Sequence, residues 1–268
     1  MLRSCLAQTT LLLLCASCAR ADVILLLEEP FGGFFSGNPA HSAIYLPWAC
    51  AESPTLLRRC NHGEEGAVIS RYHRIEGYDW VAIPLIPYLY AVENETEAPR
   101  TASAELVADL RDKYRTSHLE SVAPDQDDGQ PPRGDWRQLV GEAYDRTIYG
   151  FRIQTPPDQD DALLRELNAQ PNRNQFNIVF RNCADFAQRI INFYFPYGIH
   201  RAFFPDFEIM TPRQLATSLV RYSQGHPELA FSTFMIPQVP GTMRRSKAIR
   251  GFLSTLQYPT LEPRLATW

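Results

Sequence analysis

Apolar positions along the chain fall into runs whose spacing predicts their elements. The sharpest pattern lies in residues 176–196, FNIVFRNCADFAQRIINFYFP. Cys183, Phe186, Ala187, Ile190, Ile191 and Tyr194 recur at the three-and-four spacing of one helical face. Asn182 stands as the N-cap of that helix, and Asp185 sits where a capping-box acid reaches back. Residues 176–180 ahead of it read as a short β-like run. Residues 23–27 are a continuous apolar run suited to a buried first strand. A Gly- and Pro-containing loop, 28–39, leads to HSAIYL at 41–46, a strand that opens with a histidine. Residues 67–73 predict a second strand antiparallel to it. Residues 80–86 predict a third, in which Pro84 marks an edge or a bulge.

Further along, residues 91–135 read as an insertion. It is acidic at Glu93, Glu95 and Glu97, and holds a helix of about four turns on Leu106, Val107, Leu110 and Tyr114. Residues 124–135, PDQDDGQPPRGD, are a polar loop whose acids lack the spacing and closing glutamate of a calcium loop. Trp136, Leu139, Val140, Ala143 and Tyr144 predict another amphipathic helix, 149–154 a strand, and 156–161 the start of a helix with its acids in the first turn. Thr211-Pro212 is an N-cap followed by an N1 proline, opening a helix to about Tyr222. Residues 231–239 predict a last strand.

Composition narrows the class. A chain of 268 residues, 45% hydrophobic and 12% aromatic, has enough apolar material for one large core. A net charge of −4 gives no argument for nucleic acid. The N-terminus has the parts of a secretory signal: Arg3, an apolar stretch at Leu11 to Leu14, and the small-x-small sequence Ala19-Arg20-Ala21. The expected layout is a signal at 1–21, a domain at 22–243 carrying the 91–135 insertion, and a basic extension at 244–268. An uncleaved anchor is the alternative for the first segment. Arg244, Arg245, Lys247 and Arg250 in the extension read as a solvated face, or as a contact for anionic membrane or wall polymer.

Export changes the cysteine count. Cys5, Cys15 and Cys18 leave with a cleaved signal, so three of the six remain. Cys50 and Cys60 bracket a short polar loop that an oxidising compartment would close with a disulfide. Cys183 is then the odd thiol, in the first turn of a helix, where the macrodipole and free N–H groups favour a thiolate. A structural reading, a small buried residue without chemistry, stands beside the reactive one. His41, at the rim of a strand, is the candidate base for that thiol. No Gly-x-Ser-x-Gly elbow, CxxC, HExxH or Gly-rich phosphate loop is present, and His41, His62 and His73 match no standard zinc spacing. No cofactor and no metal is expected.

His41 on HSAIYL, followed much later by Asn182-Cys183 on NCADF, resembles the permuted papain-like group. That group includes permuted NlpC-type hydrolases and lecithin:retinol acyltransferase-like enzymes. The resemblance covers two short motifs and their order. It implies an α+β domain with an antiparallel sheet packed on the Cys-bearing helix, Cys183 as nucleophile, His41 as base, and a third polar residue on the next strand. Folding 67–72 back on 41–46 makes His73 the first choice for that residue, Ser70 the second and His62 the third. The insertions between the motifs leave the substrate open. An amide bond in cell-wall peptide suits a secreted or periplasmic enzyme. A lipid ester or acyl group suits Phe31, Phe34, Phe35, Trp48, Phe203 and Phe204. A non-catalytic binding domain of the same fold is the third alternative.

Overall fold

The computed structural model describes residues 21–31, 40–174, 176–201 and 209–261. The signal segment lies outside them except for Ala21, as do Phe34, Phe35, Phe203 and Phe204. Eight strands are present among the described residues: β1 (Ala21–Glu28), β2 (His41–Leu46), β3 (Ala49–Ser53), β4 (Leu56–Arg59), β5 (Ala67–Ser70), β6 (Val81–Pro84), β7 (Ile148–Thr155) and β8 (Ser232–Ile236). Six form one sheet in the order β6-β5-β2-β1-β7-β8, antiparallel throughout. β3 and β4 form a separate hairpin. The helices are α1 (Leu85–Tyr90), α2 (Ala104–His118), α3 (Glu142–Asp145), α4 (Pro157–Ala169), α5 (Cys183–Tyr194) and α6 (Pro212–Gln224). The protein is thus α+β, and no helix among the described residues is long and apolar enough to cross a membrane.

Helices cover the sheet on both faces, and this explains the composition of its central strands. Ile24, Leu26, Ala43, Tyr45 and Val68 face one core with Leu89 of α1, Val107 and Tyr114 of α2, and Ala143 of α3. Val23, Leu25, Leu27, Ile44, Leu46 and Ile69 face the other with Leu163 of α4, Phe186 and Ile190 of α5, and Leu215 of α6. A strand with both faces buried reads as a continuous apolar run rather than an alternating one, as β1 and β2 do. The polar ends of these strands, Glu28 and His41, lie directly opposite each other.

Three local expectations need correction. Residues 176–180 form a turn, not a strand: Asn177 Oδ1 accepts from the N–H groups of Val179 and Phe180, and Asn177 and Arg181 bond to each other through the main chain. An asparagine that caps its own turn competes with extended pairing. The helix expected over Trp136 to Tyr144 is broken, because Gly141 takes a left-handed conformation (φ 75°) before α3. Residues 80–86 split into edge strand β6 and the start of α1 at Leu85, just past Pro84. The other predicted strands and helices lie where the spacing puts them, with ends shifted by a few residues.

The disulfide joins Cys50 of β3 to Cys60 just beyond β4, and Arg58 bonds Glu64 through two nitrogens at 2.7 Å alongside it. Closing a loop of sequence separation 10 restricts the unfolded chain by about 2–3 kcal/mol. A variant carrying Cys50→Ala and Cys60→Ala is predicted to lose about that much stability in chemical denaturation. A loss near zero would mean that the hairpin packing alone holds this region.

Candidate active site

The site begins with the cap of α5. Asn182 Oδ1 accepts from Asp185 N–H and the Asp185 carboxylate accepts from Asn182 N–H, each at 3.0 Å, which completes the capping box. The Asn182 amide also donates to the carbonyls of Ile178 and Met210, both at 3.0 Å. One side chain therefore fixes the helix start, the preceding turn and the segment leading to α6. Phe186, Ala187, Ile190, Ile191 and Tyr194 anchor the helix in the core. Cys183 is held in the first turn at 8% exposure. The main-chain N–H groups of Cys183 and Ala184 come before the first helical bond, so they have no acceptor within the helix.

His41 comes beside this thiol at the rim of the sheet, close enough for their charges to act on each other. Although it opens a strand, His41 is enclosed, at 6% exposure. Tyr72 stacks on it with ring centroids 4.9 Å apart. Its Nε2 lies 2.9 Å from Ser70 Oγ, which in turn donates to the Ser42 carbonyl at 2.7 Å. A serine hydroxyl has one proton. Because that proton goes to Ser42, Ser70 accepts from His41, and Nε2 carries the hydrogen. Nδ1 of the neutral ring is then the lone-pair nitrogen left to take the thiol proton.

The electrostatics favour charge separation. Burial pushes the Cys183 thiol up, but the His41 charge and the contacts from His41 and Ser42 outweigh that and hold it below the ordinary thiol value. Burial pushes the His41 ring down, but the Cys183 and Glu28 charges and the contact with the thiolate outweigh that and hold it above the ordinary imidazole value. A lowered thiol and a raised imidazole move toward each other, so the surroundings favour the thiolate–imidazolium pair over the neutral pair. Ser42 Oγ is buried without a hydrogen-bond partner among the described residues.

Of the three candidates for the orienting residue, the structure places Ser70 against the histidine. His73, the first choice, lies beyond the end of β5, where its ring packs edge-on against Phe176 at 5.4 Å. His62 is exposed in the turn between β4 and β5. β5 stops at Ser70, so the chain has left the sheet before His73 can stand beside His41. Sequence reasoning missed Tyr72, Ser42 and Glu28. The signal for Glu28 was present: an acid that ends an apolar strand faces the residue that opens its antiparallel partner. Tyr72 also lines an open groove of about 1000 Å³ with His73, Tyr78, Asp125, Asp127 and Phe176, so the groove starts one side chain from the dyad. In the basic extension, the Arg245 guanidinium is turned inward to the carbonyls of Gln238 and Val239, at 3.3 and 3.4 Å.

Ser70→Ala is predicted to slow alkylation of Cys183 by iodoacetamide at pH 6 by about tenfold, roughly 1.4 kcal/mol, because the ring loses the acceptor that fixes its tautomer. Ser70→Thr, which keeps the hydroxyl, should recover most of the rate. Equal rates in the wild-type and alanine proteins would remove Ser70 from the site.

No protein-family model matches the chain, and no curated protein matches it. Among solved structures, a type VI secretion system effector, TseH, aligns over 82% of this chain and 94% of its own, at 12% identity and a TM-score of 0.34.

Proposed function

We propose that the chain is a secreted cysteine hydrolase of permuted papain-like architecture, acting on an amide bond in cell-wall peptide or a similar substrate. The observation that carries this reading is the position of His41 between the Cys183 thiol and the Ser70 hydroxyl, with a tautomer that suits proton abstraction. With the thiol proton held on His41 Nδ1, the thiolate attacks the carbonyl carbon. The first N–H groups of α5 face the oxyanion that forms. The C–N bond breaks, the leaving amine takes the proton from the imidazolium, and His41 then activates the water that hydrolyses the thioester. No step calls on a cofactor or metal. The Cys50–Cys60 disulfide supports an extracytoplasmic setting, secreted or periplasmic.

A second reading, a lipid acyl hydrolase or acyltransferase of the same fold, is favoured by one observation. Ile178 and Phe180, in the turn just ahead of Cys183, are 58% and 56% exposed. Arg244, Lys247 and Arg250 are also exposed and would serve an anionic membrane. The polar groove beside Tyr72 favours the peptide.

Mature protein incubated with muropeptides is predicted to release free amines, and Cys183→Ala to abolish this by at least about 10³-fold, since that variant has no nucleophile. Fatty acid released from phospholipid instead would select the lipid reading. Product from neither substrate would favour a non-catalytic binding domain.

A further inference from the structure

Beneath the dyad, on the face of the sheet away from α5, lies a buried set of charged side chains that the proposed chemistry does not use. Glu28, Glu142 and Arg146 are each fully enclosed. Glu28 ends β1 and is the direct cross-strand partner of His41, so the two side chains leave the sheet on the same face. Three groups hold its carboxylate. The Tyr88 hydroxyl of α1 donates to Oε1. Arg146 Nη1 lies 3.4 Å from Oε2. Glu142, one turn before Arg146, lies 2.9 Å from Arg146 Nε and stands close enough to Glu28 for the two carboxyls to act on each other.

The protonation states follow from this geometry. Two carboxyls that share one site cannot both ionise without cost. Burial pushes Glu142 well above the carboxylate range against the pull of Arg146, and the Glu28 charge adds to the push, which favours its neutral acid form. Burial also pushes Glu28 up, but the charges of His41 and Arg146 and the contacts with Glu142 and Tyr88 outweigh it and keep Glu28 ionised. A fully buried carboxylate is costly, and an apolar residue of similar size could fill its place. Nε2 of His41 is already engaged by Ser70, and Glu28 and the ring act on each other through charge. The charged and titratable groups around it are His41 from β2, Tyr72 from beyond β5, Tyr88 from α1, Glu142 from α3 and Arg146 after it. Asp145 is turned away, to Arg111 at 2.7 Å.

We propose that Glu28, clamped by Tyr88, Glu142 and Arg146, is a positioning residue: the buried counter-charge that keeps His41 an imidazolium and so keeps Cys183 a thiolate in the resting protein. This rests on the hydrolase reading and adds a fourth member to Cys183, His41 and Ser70, one that touches neither substrate nor thiol. Without it, the enclosed ring would have the thiolate alone to hold its proton, against the desolvation that disfavours the charged form.

The test is the rate of Cys183 alkylation by iodoacetamide from about pH 4 to 9, read by mass spectrometry on the full mature chain. Glu28→Gln keeps the shape and an acceptor for Tyr88 but removes the charge. It is expected to move the onset of reactivity to higher pH by about one unit, lowering the rate at pH 6 about tenfold, while circular dichroism stays native. Tyr88→Phe, which only loosens the clamp, is expected to shift the onset the same way by a smaller amount, and it decides the matter if Glu28→Gln does not fold. A wild-type onset well below that of a cysteine peptide, unmoved in a folded Glu28→Gln protein, overturns this inference and leaves the hydrolase reading standing. A wild-type onset equal to the peptide's overturns both.

Discussion

The register of β1 against β2 is the constraint on which the site depends. Ile24 faces Tyr45, Leu26 faces Ala43, and Glu28 faces His41. A slip of one residue would turn every side chain of β2 to the other face of the sheet. His41 would leave Ser70 and Glu28, and Tyr45 would enter the core now filled by Ile44. Because both faces are packed with apolar side chains, such a slip is opposed by burial along the whole strand, not by the site itself. The polar pair at the strand ends is therefore held in place by the apolar pairs behind it.

The second constraint is the cap of α5. The sheet delivers His41 to its rim, and the capping box delivers the thiol to the same point from the other face. Asn182 makes five hydrogen bonds there, counting its main-chain N–H to Asp185 and its carbonyl from Phe186. The imidazole thus has the thiol at the rim, Ser70 across the sheet, Tyr72 stacked on its plane and Glu28 beside it. Together these contacts hold the ring's position and its tautomer and favour its charged form. A buried ionised pair is expensive unless its surroundings are organised in advance, and these are.

Much of this was legible in the residues. The three-and-four spacing of Phe186, Ile190 and Tyr194, with Asn182 and Asp185 at their capping positions, located α5 and its thiol closely. The apolar runs located β1 and β2, and the cysteine spacing located the disulfide. What failed was detail at strand ends. His73 looked a better partner than Ser70 because folding 67–72 back on 41–46 put the strand end opposite His41, yet β5 ends at Ser70. Residues 176–180 carry β-type side chains, but the Asn177 side chain bonds its own turn, a local competition that composition does not weigh. Glu28 looked like the first residue of a loop. Its burial depends on Tyr88, Glu142 and Arg146, which lie far away in sequence and whose convergence no local pattern reports.

The central claim is that Cys183 and His41 form an ion pair at neutral pH, each holding the other's charge. The most direct measurement is a nitrogen-resolved NMR titration of the His41 ring in the wild-type protein and in Cys183→Ala. The account predicts a proton on Nε2 throughout and a ring that stays doubly protonated above the ordinary imidazole value near 6.5 in the wild type. Without the thiolate, Glu28 alone opposes burial and the ring should lose its second proton at distinctly lower pH. A ring that titrates at the same pH in both proteins would contradict the account.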